Sequence, residues 1–236
     1  MPKKLIIGNW KMNPSSQKEA KKFFNAFAKY DVIICPPLPF MFLGKGKLGA
    51  QDCFYEEKGS FTGQVSPLML KDLKVKYVII GHSERRALGE TDEIINKKLK
   101  AVLKYGLTPI LCVGETAEQK KQGKAFKIIE TQVRQALEEV AKPKVSKVVI
   151  AYEPVWAVGA KKPCSVDNVL TACLYIRKLV TRVAGKKSGQ SISIIYGGAV
   201  DSQTAKEYLK SDWINGLLVG RASLDIKEFI KIAKTV

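Results

Sequence analysis

His82 is the only histidine in the chain, and it stands in Gly81-His82-Ser83-Glu84-Arg85-Arg86, directly after the apolar run that ends at Ile80. An imidazole can move a proton near neutral pH or, uncharged, donate a hydrogen bond to a carbonyl. A lone histidine is commonly structural, but this one lies where an expected strand meets an expected helix start, whose free amides disfavour imidazolium. Glu153 occupies a comparable junction, between Val148-Val149-Ile150-Ala151-Tyr152 and Pro154-Val155-Trp156. A carboxylate there is expected to be partly desolvated, and desolvation makes a carboxylate a better base toward a carbon acid. Taken alone, Glu153 could equally cap a helix or join an ion pair. Asn9 and Lys11 follow the first apolar run, and Gly159, Gly197-Gly198 and Gly220 could expose backbone amides to an anion.

Eight apolar, β-branched runs could carry these groups: Leu5 to Gly8, Val32 to Cys35, Leu48 to Ala50, Tyr77 to Ile80, Thr108 to Val113, Val148 to Tyr152, Ile192 to Tyr196 and Leu217 to Gly220. Runs apolar at nearly every position suit strands buried on both faces of a parallel sheet. Helical spacing fills most intervals, as in Ile94, Leu99, Val102 and Leu103, or Phe126, Ile129, Val133 and Leu137. An open doubly wound sheet shares this alternation, but it concentrates function at one switch point, whereas a closed barrel uses many strand ends. Polar or glycine-rich clusters follow runs one, four, five, six, seven and eight, which favours an α/β fold of the (β/α)8 barrel type, one domain spanning residues 1–236. The third run is the weakest.

The composition agrees with one large core: 236 residues, 46% of them hydrophobic. No apolar run approaches the roughly 18 residues of a membrane span, and the first nine residues offer no signal-peptide core, so a cytoplasmic location with no membrane partner is expected. Five cysteines without a Cys-x-x-Cys pair read as buried free thiols. Forty Lys and Arg against 22 Asp and Glu leave a net charge of +18, which attracts anions.

Together the segments resemble the triosephosphate isomerase family almost from end to end, and with it the TIM barrel. The matching pieces are Asn9-Trp10-Lys11-Met12-Asn13, Gly49 to Cys53, Gly81 to Arg86, Cys112 to Thr116, Ala151 to Gly159, Tyr196-Gly197-Gly198 and Gly216 to Leu224. The resemblance implies interconversion of dihydroxyacetone phosphate and D-glyceraldehyde 3-phosphate through an enediolate, in glycolysis and gluconeogenesis. It implies that Glu153 abstracts the proton, His82 polarises the carbonyl as neutral imidazole, Lys11 supplies positive charge and Asn9 orients the substrate. Imidazole pKa tuning and lid closure belong to the family that the chain resembles. Ser83 and Glu84 would support the site, and the amides of Gly159, Ala199, Gly220 and Arg221 would hold phosphate. No metal and no cofactor are implied. A homodimer is implied, with the loop Gln51 to Ser66 entering the neighbouring subunit and Thr62 reaching its site. Phe54, Tyr55 and Phe61 make that loop costly to expose on a monomer.

Several positions depart from the family pattern. Ala199 stands where a serine is usual, and Ala157-Val158-Gly159-Ala160-Lys161 where the family prefers Thr-Gly at the last two positions, so an altered lid latch is expected. Arg221 replaces a second glycine and could add a phosphate contact or point outward. Gln64 replaces an acid that would pair with Arg85 across the dimer, and the hinge reads Lys162-Pro163-Cys164.

Two rival functions remain in view. A sugar-phosphate aldolase or decarboxylase on the same barrel would want a Schiff-base lysine in a strand or further ionisable groups, and only Lys11 is well placed. A nucleic-acid binder would suit the charge, but Lys18, Lys21, Lys22, Lys97, Lys98, Lys120, Lys121 and Lys124 are spread over several helices and read as solvated faces; no specific nucleic-acid partner is expected. Electrostatic steering of a phosphorylated substrate is the intermediate reading of the +18 charge.

Overall fold

A computed structural model describes residues 3–160 and 163–236. Its strands are β1 (Leu5–Asn9), β2 (Ile33–Cys35), β3 (Lys47–Ala50), β4 (Tyr77–Ile80), β5 (Thr108–Val113), β6 (Val149–Tyr152), β7 (Ser193–Tyr196) and β8 (Gly216–Val219). They form one closed barrel in chain order. Every pairing is parallel, and β8 returns to β1 with Leu5 opposite Gly216 and Gly8 opposite Val219. The weakest run in the sequence is a true strand, fixed by Ile33 opposite Lys47 on one side and Gly49 opposite Tyr77 on the other. The last strand sits one residue earlier than its apolar pattern suggests. Gly216 enters it at φ 148°, where an added Cβ would lie 2.1 Å from the Leu5 carbonyl oxygen, so only glycine can begin this strand.

Alternation along each strand divides the apolar residues into two cores. Ile7, Ile33, Cys35, Ile79, Ile110, Cys112, Val149, Ala151, Ile195 and Leu218 fill the barrel interior. Their neighbours, such as Ile6, Val78, Ile80, Leu111, Ile150 and Leu217, face outward onto the helices. Both faces are dry, which is why the runs read as continuously apolar. Gly49 is one place where the interior has no room: a Cβ there would meet the Cys35 sulfur at 2.5 Å.

The helices depart from the sequence pattern in detail. On Asp92–Lys104 the buried stripe is Ile95, Leu99 and Val102, with Ile94 only half-buried and Lys98 inside the stripe. The reading of Lys98 as a solvated lysine is therefore wrong: it is 2% exposed and ion-paired to Asp52 and Glu90. On Ala125–Ala136, Ile129 and Val133 are buried, but Phe126 stays on the surface and packs at a tilt against Tyr175, ring centroids 4.7 Å apart. All five cysteines are free and buried, and burial pushes the Cys173 thiol up to about 12. No described helix is long and apolar enough to cross a membrane.

Candidate active site

Glu153 continues the interior-facing series Val149 and Ala151 past the end of β6, so two-residue periodicity carries its carboxylate to the mouth of the barrel. Its N–H donates to the Val113 carbonyl at 2.8 Å, extending the ladder to β5 by one residue. Two glycines make the space. A Cβ at Gly114 would lie 1.9 Å from the Glu153 carbonyl oxygen, and one at Gly197 would lie 2.8 Å from Glu153 Cγ. The residue is 2% exposed, which bears out the expected desolvation. Oε2 accepts from the Ser83 N–H at 3.2 Å, and Oε1 lies 3.4 Å from Nε2 of His82.

His82 does not follow from periodicity. Ile79 faces the interior and Ile80 faces the helices, so plain alternation would send residue 82 outward. Gly81 breaks the alternation at φ 69°, and its space is limited by Ile95, whose Cδ1 would meet an added Cβ at 2.9 Å. Arg86 locks this turn, bonding the carbonyls of Gly81 at 2.8 Å and Cys112 at 3.2 Å and the Asp92 carboxylate at 2.6 Å. His82 then caps the helix Ser83–Ala87, with Nδ1 accepting from the Glu84 N–H at 3.2 Å. An accepting Nδ1 carries no proton, so the ring proton is on Nε2, the nitrogen that faces Glu153.

Lys11 holds a left-handed backbone, φ 53°, unusual for a side chain with a Cβ. Its N–H donates to Asn9 Oδ1 at 3.0 Å and its carbonyl accepts from Gln51 at 2.8 Å, which over-determines the conformation. The ammonium pairs with Glu84 Oε1 at 2.5 Å, while the other Glu84 oxygen lies 3.8 Å from His82 Nδ1. Glu84 therefore ties the cation to the imidazole turn. Ser83 contributes its backbone amide.

These groups surround a cavity of about 760 Å³, lined by Asn9, Lys11, His82, Glu153, Gly159, Ala199, Gly220 and Arg221 among others. Every expected catalytic and substrate-binding residue reaches it; Ser83 and Glu84 stand behind it. Ala199 is engaged differently from expectation, because its N–H donates to the Ala157 carbonyl at 3.0 Å. The Arg221 guanidinium turns back across the rim and donates to the Gly159 carbonyl at 2.6 Å, so it does not point outward. The Cys164 N–H donates to the Tyr196 hydroxyl at 3.3 Å. Lys161 and Lys162, part of the expected lid and hinge, lie outside the described residues.

Several supporting residues were missed in the sequence. Glu115 is buried and accepts from Trp156 Nε1 at 2.7 Å and from the Tyr152 hydroxyl at 3.2 Å, anchoring the start of the loop after β6. Lys120 sits 3.4 Å over the Trp156 ring, so it too is more than a solvated lysine. Gln132 bonds both the N–H and the carbonyl of Gly114, at 2.8 and 3.2 Å. Glu115 lies in the polar cluster that follows run five, where the sequence marked it without a role, but a glutamine on a helix face carries no comparable signal.

The loop from Gln51 to Ser66 is closed at its neck by Phe54 N–H donating to the Val65 carbonyl at 2.8 Å, and the Phe54 ring packs at a tilt against Tyr55 and Phe61. Phe61 and Thr62 remain exposed. Arg85 pairs with Asp52 of the same chain at 2.9 Å.

The Triosephosphate isomerase family model matches residues 4–236. A triosephosphate isomerase of Aquifex aeolicus (strain VF5) is 45% identical over 245 residues, covering 98% of each chain. One from Dictyoglomus thermophilum is 42% identical over 249 residues, covering 100% of each chain. One from Carboxydothermus hydrogenoformans is 42% identical over 248 residues, covering 99% of each.

Proposed function

The chain belongs to the triosephosphate isomerase family, and from that premise we propose that Glu153 and His82 interconvert dihydroxyacetone phosphate and D-glyceraldehyde 3-phosphate by moving one proton between adjacent carbons. The observation that carries this assignment is the 3.4 Å separation of Glu153 Oε1 from Nε2 of His82 inside a cavity large enough for a triose phosphate. A base and a hydrogen-bond donor so placed can work on a C–H and its neighbouring carbonyl together.

Glu153 removes the proton from the carbon beside the carbonyl. As charge moves onto oxygen, the Nε2–H of His82 and the Lys11 ammonium stabilise the enediolate, and Asn9 orients the oxygens. The hydroxyl proton on the first carbon's oxygen passes to the second oxygen by way of His82 Nε2, and Glu153 returns its proton to the second carbon, so that carbonyl and hydroxyl exchange places. The phosphate is held by the amides of Gly159, Ala199, Gly220 and Arg221, and Ala199 must exchange the Ala157 carbonyl for a phosphate oxygen to take part. No metal or other cofactor enters this scheme, and residues 1–236 act as one barrel domain in the cytoplasm, serving glycolysis and gluconeogenesis.

The same reading includes a homodimer. Met12, Phe42, Leu68, Met69 and Leu88 are exposed and all follow strands β1 to β4, on the side of the barrel that carries the loop Gln51 to Ser66. Apolar surface of that kind calls for a cover, and a second copy would place Thr62 at its neighbour's site. Sedimentation at micromolar protein would show a dimer, and a monomer throughout would overturn it.

The chemistry is tested by isomerisation in deuterium oxide. Turnover with deuterium from solvent entering the product carbon is expected, because a carboxylate proton exchanges with water during the enediolate's lifetime. An inactive native chain would refute the assignment.

A further inference from the structure

We propose that Arg221 is a positioning residue that clamps the loop after β6 from the opposite side of the cavity, an inference that rests on the isomerase reading above. Its backbone follows β8, yet its Nη2 donates at 2.6 Å to the carbonyl of Gly159, 62 residues away in sequence. Gly159 admits this approach: it turns at φ 69°, and even an added Cβ would lie 3.7 Å from that nitrogen. A second bond to this stretch, Ala199 N–H to the Ala157 carbonyl at 3.0 Å, joins two neutral groups, and the Ala199 side chain has no donor to add. The Arg221 bond is charge-assisted and stronger than a neutral one.

The peptide plane gives the bond its consequence. Fixing the Gly159 carbonyl also fixes the Ala160 N–H, which lies in the same plane and points the opposite way. Both residues line the cavity, as do the backbone amides expected to hold phosphate. One side chain therefore sets the orientation of the loop at the phosphate end, and a planar guanidinium does so with a directionality that an ammonium lacks.

The expected effect is on the intermediate more than on capture of substrate. An enediolate carries an electron pair that can expel the neighbouring phosphate: the C–O bond breaks, phosphate leaves with the bonding pair, and the carbon fragment tautomerises to 2-oxopropanal. A loop held firmly against the phosphate suppresses this loss.

Native protein, Arg221→Ala and Arg221→Lys would be compared by thermal melting, by kcat and KM, and by inorganic phosphate released per isomerisation. Arg221 is exposed, so all three should melt together. Arg221→Ala should lower kcat on the order of tenfold, the scale of one charge-assisted hydrogen bond, and raise the phosphate released per turnover. Arg221→Lys, with the charge but not the fork, should recover less than half of the loss. Unchanged kcat and phosphate release in Arg221→Ala would overturn the proposal. So would a loss confined to KM and fully restored by lysine, which would make Arg221 a simple attractor of anions. A native chain that isomerises nothing would instead overturn the functional reading, and this proposal with it.

Discussion

The backbone N–H of Ser83 donates to Oε2 of Glu153 at 3.2 Å, docking a carboxylate that leaves β6 onto the first turn of the helix that follows β4. His82, on the same turn, is thereby held beside the other carboxylate oxygen. The two proposed reactive groups are positioned by one piece of backbone, so a small displacement of either changes the geometry of both.

Shortening the base tests this first. Glu153→Asp withdraws the carboxylate by about 1.5 Å. Turnover should fall about 100-fold or more, the usual penalty for misplacing a reacting group by an ångström. Melting should change by only a few degrees, because the backbone bond from Glu153 N–H to Val113 survives. Steady-state assay beside a thermal melt reads both quantities; turnover above one tenth of native would contradict the role.

The two glycines that accommodate Glu153 should fail differently. Gly197→Ala places a methyl 2.8 Å from Glu153 Cγ, the flank of a side chain, so turnover should drop about 100-fold while stability falls by about 1 kcal/mol. Gly114→Ala drives its methyl to 1.9 Å from a backbone carbonyl that cannot swing aside, and should destabilise the fold by about 3 kcal/mol. Urea melts separate these outcomes, and equal stability of the two variants would refute the distinction.

Lys98 offers a test of the barrel's buried charge. Lys98→Met leaves Asp52 and Glu90 with Arg85 as their remaining cation in this cluster, and should cost about 3 kcal/mol. Burial, the largest influence, holds the Asp52 carboxyl above the usual aspartate range, and Lys98 opposes that shift. A folded-state value above the unfolded one means that the native state binds more protons, so this carboxyl's contribution is fully present at low pH and lost as pH rises through the folded value. Without Lys98 the shift grows. The gap in melting temperature between native and variant should therefore be wider at pH 8 than at pH 5; a gap that narrows would show that Asp52 is not the group responsible.

The +18 charge predicts a salt effect on capture of a phosphorylated substrate. Raising ionic strength from about 0.01 to about 0.15 M shortens the screening length from about 30 to about 8 Å. The second-order rate constant should fall severalfold while kcat holds. A salt-insensitive rate constant would leave the charge with no part in steering.

How much of this was legible in the chain can be judged residue by residue. Glu153, Asn9 and Lys11 were legible as candidates because each stands directly after an apolar run, and the roles expected of them came from the family resemblance. His82 was legible from its place between a strand end and a helix start and from its motif, but not from parity, because the left-handed turn at Gly81 cancels the alternation that would send it outward. Lys98 was misread as solvated because a lysine in a helical stripe looks alike whether its charge meets water or a carboxylate from another strand's loop. Phe126 was misread in the opposite sense.

The sequence by itself determined the barrel, through eight doubly apolar runs separated by amphipathic stretches, and it placed the candidate site residues at strand ends, because alternation and capping are local properties of the chain. Tertiary structure decided what those residues touch. The Ser83 amide on Glu153, the Gln132 bonds that seat Gly114, the Lys98 ion pairs and the reach of Arg221 to Gly159 join segments 18 to 70 residues apart. Such pairs have no local periodicity to announce them, and they exist only once the barrel closes and brings the ends of its strands together.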